Sequence, residues 1–336
     1  MSENKEILID QLIAKYTENH SLSDLHVRSD QPIAIREQGQ IVIFPDDIVS
    51  GHDVNKFIKS HIDSYHAEKL ENDMQLDTAI VVKGVRYRAN VYNSLNGYCV
   101  VLRKIETIIP IVEELDIPPA VLASCEYKNG LILITGPTGS GKSTTSAAIL
   151  NRINLTRQEN IITIEDPIEF IHMNQMCIVS QREIGKHVTS FGNGLKAALR
   201  EDPDIILLGE MRDYETVSAA LTAAETGHLV MGTLHTNGAP NTINRLIDVF
   251  PAAQQPQARS MLSQSLRLVV TQQLHKKKDG TGRVGSYEVM VCNKAIQNLI
   301  REGKIFQIPS IMQTAMAEGM ITMDKSIENL KAMGQI

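Results

Sequence analysis

The sequence has no excess of basic residues, no apolar run long enough for a bilayer and no clustered cysteines. Its 33 lysines and arginines are outnumbered by 39 aspartates and glutamates, for a net charge of −6. A nucleic-acid binder normally carries a basic stripe. The longest basic run here, Lys276–Lys278, stands beside "DGTG" and reads as a solvated hairpin turn. No segment approaches the ~18 consecutive apolar residues of a membrane span. The opening "MSENKEILID" is acidic, unlike the basic start of a secretory signal. The cysteines, Cys99, Cys125, Cys177 and Cys292, lie far apart with no C-x-x-C pair. Free thiols in a reducing compartment explain them better than disulfides or zinc. Internal repeats and low-complexity segments are also lacking. A cytoplasmic protein with no transmembrane segment and no direct nucleic-acid partner is the expectation.

What is present divides in two. A length of 336 residues with 43% hydrophobic content allows two globular domains. Residues 5–17 place Leu8, Leu12, Ile13 and Tyr16 at helical spacing. Short alternating segments follow, "DLHVRS", "IAIREQG", "GQIVIF", "DTAIVVKGVRYRANVY" and "GYCVVLRKIE", punctuated at Pro32, Gly39, Gly84 and Gly97. They predict a small α+β domain. The proline-bearing "ETIIPIVEELDIPPA" reads as an extended connector. Beyond it, the apolar runs "LILIT", "IITIE", "IILLG" and "LVMGTLHT" alternate with helical stretches, which predicts an α/β domain with a largely parallel sheet. The expected division is 1–104, a linker at 105–118, and 119–336. Near the end, Met312, Met316, Met320 and Met323 recur at helical spacing, as core or as an adaptable partner surface, with Gly319 interrupting them.

"LILITGPTGSGKST" is a strand, then G-x-x-x-x-G-K-S, then a helix, in the order a phosphate-binding P-loop needs. Gly136, Gly139 and Gly141 let the backbone turn successive N–H groups inward, and the loop Gly136, Pro137, Thr138, Gly139, Ser140, Gly141, Lys142, Ser143 and Thr144 is the expected ATP cradle. Lys142 brings a point charge to the β- and γ-phosphates, and the Ser143 hydroxyl suits Mg²⁺.

Other strands carry chemistry at their carboxyl ends, where ligands of open α/β sheets sit. "IILLG" has Gly209 where a metal-holding aspartate is usual, so Glu210 is the only acid this strand offers the site. It is read as the general base for an attacking water, against the bland reading of an acid meeting solvent. "IITIEDPIE" supplies Glu165, Asp166 and Glu169, either for a metal-bound water or as a turn begun at Asp166-Pro167. His228 and His235 bracket "LVMGTL", and His235 either senses the γ-phosphate and the acids or is structural.

In order, "SDLHV", "RYRANVY", "GPTGSGKSTT", "TIEDPIEF", "ALREDPDIILLGEMRD", "AAETGHLVMGTLHT" and "AIQNLIRE" resemble the PilT-like retraction ATPases of type IV pili, within the secretion-ATPase superfamily. The resemblance implies a PAS-like α+β N-terminal domain followed by a RecA-like P-loop ATPase domain, assembled as a homo-hexamer. It implies ATP and Mg²⁺ as ligands, a Gly-Glu Walker B with Glu210 as catalytic base, Glu165, Asp166 and Glu169 as an acidic box, and His228 and His235 as a His box. ATP would lie between the two domains, with Arg86, Arg88 and Arg103 as arginine fingers; cross-strand pairing is their bland alternative. The implied work is pilus retraction on an inner-membrane platform protein. A conjugation or secretion ATPase and an ATP-gated structural ring with little turnover stay open. Two positions depart from the family: Asn96 and Gln297 stand where arginine is usual. The four-cysteine zinc module of the assembly branch is missing.

Overall fold

In the computed structural model, which describes residues 8–20, 22–37, 39–105 and 108–336, the alternating segments near the start form one sheet and the later apolar runs form another. The chain divides accordingly into two compact units. One runs to Thr107 and takes in Asp166–Glu169; the other comprises Ile108–Glu165 and Phe170–Ile336.

The first unit orders its elements as α1 (Leu8–Asn19), β1 (Leu22–Arg28), β2 (Gln31–Glu37), β3 (Gln40–Val49), α2 (Gly51–His61), α3 (Ser64–Asp73), β4 (Gln75–Val82), β5 (Val85–Ser94) and β6 (Gly97–Lys104). The sheet order is β3-β2-β1-β6-β5-β4, with every neighbouring pair antiparallel. Ile9, Ile13 and Tyr16 form the buried stripe of α1, whereas Leu8 is exposed. Residues 5–7 of the expected helix lie outside the described residues. Side chains alternate across a strand, so Tyr87, Ala89 and Val91 of β5 join the core with Leu102 of β6. Arg86, Arg88 and Arg103 belong to the other face. Two helices here escaped the sequence pattern. Each is started by a side-chain cap, Ser50 accepting from the Asp53 N–H and Asp63 from the His66 N–H.

The second unit opens with a 3₁₀ turn at Val112–Leu115 and α4 (Pro119–Ala123). Part of the expected connector is therefore packed, with Val112 and Ile117 buried in this unit's core; Glu106 and Thr107 lie outside the described residues. There follow β7 (Gly130–Thr135), α5 (Lys142–Thr156), β8 (Asn160–Glu165), β9 (Ile178–Glu183), α6 (Phe191–Ala198), β10 (Ile205–Leu208), α7 (Tyr214–Glu225) and β11 (Leu229–Leu234). Then come α8 (Ala239–Asp248), α9 (Gln255–Ser265), β12 (Leu266–Lys276), β13 (Arg283–Val291), α10 (Lys294–Glu302), α11 (Ile308–Thr314) and α12 (Met323–Ala332).

The seven strands run β13-β12-β7-β11-β10-β8-β9, parallel except for the β12–β13 hairpin. Both faces are covered, which is why these strands read as unbroken apolar runs. Leu131, Leu133, Ile206 and Leu208 enter one core, while Ile132, Ile134, Ile205 and Leu207 enter the other. Asp213 caps α7 by accepting from the Thr216 N–H. The methionine series does not form one helical face. Met312 and Met320 are buried, Met316 is exposed beyond the end of α11, and Gly319 turns the chain with φ of +86° before α12. Among the described residues no helix is long and apolar enough to cross a membrane.

His172, between β8 and β9, is 7% exposed, and burial lowers its pKa from 6.5 to about 4. The unfolded chain then binds the extra proton first, so the contribution is complete above the unfolded pKa and lost as pH falls from about 6.5 towards 4. Thermal unfolding across that window should lose less stability on acidification in His172→Gln than in the unsubstituted protein, a difference on the order of 2–3 kcal/mol at the acid end. Parallel curves would refute a buried neutral imidazole.

Candidate active site

The parallel strands deliver their carboxyl ends to one edge. Strand β7 leads into the glycine loop, and α5 starts at Lys142 with Gly141 before it at φ of +88°. Two of the loop glycines are required by close approach. A Cβ on Gly136, whose φ is +137°, would stand 2.3 Å from the Gln272 carbonyl oxygen. One on Gly141 would stand 2.8 Å from the Gln272 amide nitrogen. Gln272 is itself buried and accepts a 2.8 Å hydrogen bond from the Thr145 hydroxyl. It thus supports the loop from behind. Lys142 is 7% exposed, and its ammonium donates to the carbonyls of Gly136 at 2.8 Å and Pro137 at 2.9 Å. Ser140 Oγ is buried with no hydrogen-bond partner, while Pro137, Thr138, Gly139 and Ser143 are exposed and Thr144 is half-buried. A hidden lysine, an unsatisfied hydroxyl and a helix N-terminus at a loop that lacks Cβ atoms at Gly136, Gly139 and Gly141 fit a nucleotide phosphate. The Ser143 hydroxyl on the first turn of α5 fits an accompanying Mg²⁺.

Glu210 follows β10 with its side chain 17% exposed, so it is not an acid in open solvent. It forms an ion pair with Arg212 and approaches His235 Nε2 at 3.6 Å. His235 Nδ1 in turn lies 3.4 Å from the Thr138 hydroxyl of the glycine loop. The ends of β7, β10 and β11 are thereby joined through one imidazole. Gly209 has a packing reason to lack a side chain: its Cβ would fall 3.2 Å from Glu165 Cα and 3.3 Å from the Ile164 carbonyl. Its N–H donates to that carbonyl at 2.8 Å, and its own carbonyl accepts from the Thr233 hydroxyl at 2.5 Å.

Glu165 ends β8 and accepts from the Thr163 hydroxyl at 2.6 Å and from the Gln181 amide at 3.1 Å, both on Oε1. The stretch Asp166–Glu169, which begins with a cis Asp166–Pro167 bond, groups with the first unit.

A family profile for Type II/IV secretion system proteins matches residues 3–331. The chain belongs to that family. It is 48% identical to a twitching motility protein of Neisseria gonorrhoeae over 86% of this chain and 77% of that one. It is 44% identical to the type IV pilus retraction ATPase PilT of Pseudomonas aeruginosa over 98% and 95% of the two chains. A crystal structure of the pilus retraction motor PilT with bound ADP superposes with a TM-score of 0.90, at 45% identity over 98% of this chain and 95% of that one. The antiparallel-sheet domain followed by a parallel-sheet ATPase fold is that of the two-domain secretion ATPases.

In this secretion-system family member, His228 stands apart from the strand-end cluster of the second unit. His228 precedes β11, at the end opposite His235, and its ring nitrogen faces the Ala223 carbonyl at 3.0 Å and the Thr226 hydroxyl at 3.3 Å. It closes the end of α7, because a strand of six residues separates the two histidines. The arginines are engaged within the first unit. Arg88 binds Asp77 through Nε at 3.1 Å, Arg103 binds Asp24 through Nε at 2.9 Å, and Arg86 donates to the Ile168 carbonyl at 3.1 Å. Burial works to raise the Asp24 pKa, but hydrogen bonds from Arg103 and Ser23 outweigh it and hold the carboxyl below its ordinary value. Sequence reasoning missed Gln181, Arg212, Thr233 and Gln272. The only signal available was an interruption of apolar or strand-like runs by "SQRE" and "TQQ".

Gly136→Ala should weaken ATP binding by roughly tenfold or more, the equivalent of ~1.4 kcal/mol and the low end of overpacking costs. Gly139→Ala should cost less, since no atom lies within 4 Å of its Cβ position. Titration with a fluorescent nucleotide ranks the two, and the reverse order would contradict the cradle geometry.

Proposed function

We propose that this chain is the subunit of a homo-hexameric motor that hydrolyses ATP to retract a type IV pilus. The observation that carries the reading is the line Thr138–His235–Glu210, which joins the glycine loop to the strand-end carboxylate at 3.4 Å and 3.6 Å. The names of the two relatives, a twitching motility protein and a pilus retraction ATPase, supply the kind of work. Of the two departures, Asn96 lies in the exposed β5–β6 turn of the first unit and Gln297 is half-buried on α10 of the second.

In this reading the N–H groups of Thr138–Gly141 and the ammonium of Lys142 hold the phosphates. Bound Mg²⁺, with Ser143 as its protein ligand, supplies charge neutralisation on the β- and γ-phosphates. Glu210 orients a water and takes its proton as the water oxygen bonds to the γ-phosphorus. The bond to the β,γ-bridging oxygen breaks, leaving ADP and inorganic phosphate. His235 sits where the glycine loop and Glu210 meet and registers the terminal phosphate through that contact. Arg86, Arg88 and Arg103 are charge donors to the nucleotide in the assembled ring, each having to exchange its present partner to act. The ring works at the cytoplasmic face of the inner membrane, through a pilus platform protein.

Steady-state phosphate release should fall at least about a hundredfold in both Lys142→Ala and Glu210→Gln, within the range assigned to a general base. Cells carrying Glu210→Gln should keep surface pili and lose twitching. Turnover in the unsubstituted hexamer equal to that of Lys142→Ala would favour an ATP-gated ring without a motor. Lost secretion with unaffected twitching would favour a secretion apparatus.

A further inference from the structure

The acidic stretch after β8 is held at both ends by one side chain that none of the sequence motifs singled out. Strand β9 pairs in parallel with β8, and Gln181 falls opposite Thr163. This places its amide on the face shared by Thr163 and Glu165, two residues apart on β8. The amide nitrogen donates to Glu165 Oε1 at 3.1 Å and to the Phe170 carbonyl at 2.8 Å. The amide oxygen accepts the N–H of His172 at 2.8 Å. These partners fix which end of the amide is oxygen, because a backbone N–H needs an acceptor and a carbonyl needs a donor. Both amide hydrogens are used, one on the carboxylate and one on the chain where it returns from Asp166–Glu169.

We propose that Gln181 is a positioning residue for the hydrolytic site: it sets the orientation of the Glu165 carboxylate and anchors the return of the acidic stretch at Phe170–His172. The inference rests on the reading of Glu165 as part of the nucleotide site. Glu165 Oε1 takes two donors, Thr163 from its own strand and Gln181 from the neighbouring one, so its rotamer is determined across two strands. Replacing the amide by an apolar group leaves the Phe170 carbonyl and the His172 N–H without these partners and takes one donor from the carboxylate. The cost should appear in the chemical step, because Gln181 belongs to β9 and makes no hydrogen bond with Gly136–Thr144.

The test uses the assembled hexamer and three variants, with ATP turnover measured from pH 5.5 to 8.5 and unfolding midpoints measured alongside. Gln181→Leu should lower kcat by about tenfold to hundredfold, the scale of a misplaced reacting group, with KM for ATP changed by less than about threefold. Gln181→Glu should be impaired at pH 8, where its carboxylate opposes Glu165. It should recover as pH falls and the new carboxyl becomes a donor, whereas Gln181→Leu stays low throughout. Combined with Glu165→Gln, Gln181→Leu should add little, since both act through one carboxylate. Normal turnover in Gln181→Leu, beside an impaired Glu165→Gln, overturns the positioning role alone. A silent Glu165→Gln overturns the reading of Glu165 and the inference with it. A fall in kcat that is fully additive with Glu165→Gln, or that has no pH recovery in Gln181→Glu, also overturns the positioning role.

Discussion

A strand buried on both faces of its sheet can present polar chemistry only at its ends, and the second unit is built around that constraint. Strands β7, β8, β10 and β11 contribute almost nothing but apolar side chains to two separate cores. Each fully buried Leu, Ile or Val contributes roughly 1.5–3 kcal/mol relative to exposure, so the sheet tolerates no functional residue in its middle. Because these four strands run parallel, the glycine loop, Glu165, Glu210 and His235 emerge at one edge. Reversing a single strand would send its terminal group to the edge where His228 lies.

Backbone proximity then determines which residues that edge can use. The glycine loop rests against the Gln272 carbonyl so closely that Gly136 has no room for a Cβ. Gly209 sits against the end of β8 in the same way, with its N–H on the Ile164 carbonyl. A side chain at 209 would push β10 from β8 and take Glu210 with it. The absence of an aspartate there is a consequence of packing as well as chemistry, and it leaves Glu210, paired with Arg212 and near His235, as the acid at that strand end.

The first unit follows a different rule. Its antiparallel sheet packs one face against α1, α2 and α3, and alternation along β5 and β6 sorts tyrosine and leucine inward and arginine outward. Ion pairs hold Arg88 and Arg103, and Arg86 donates to the Ile168 carbonyl. Exposed pairs such as Arg88–Asp77 contribute only about 0–1 kcal/mol, so exchanging that partner for a stronger anion is a small energetic step, whereas releasing Arg103 would leave the buried Asp24 carboxylate uncompensated.

The amino-acid order by itself determined the strand–loop–helix around Gly136–Lys142, the four apolar strands and the place of Glu210 after β10, because each is a pattern local to a dozen residues. It also marked the polar face of β5. It gave no account of β9, β12 or the two capped helices of the first unit. "IVSQRE" is too polar to read as a strand until β8 lies beside it, and β12 starts at Leu266, directly after the last residue of α9. Only the tertiary structure decided that His235 joins the cluster while His228 does not, that Gln272 backs the glycine loop from 127 positions beyond Thr145, and that Gln181 reaches Glu165. Those facts depend on which strands are neighbours and which ends they share, and strand order is a property of the folded sheet that no local periodicity encodes.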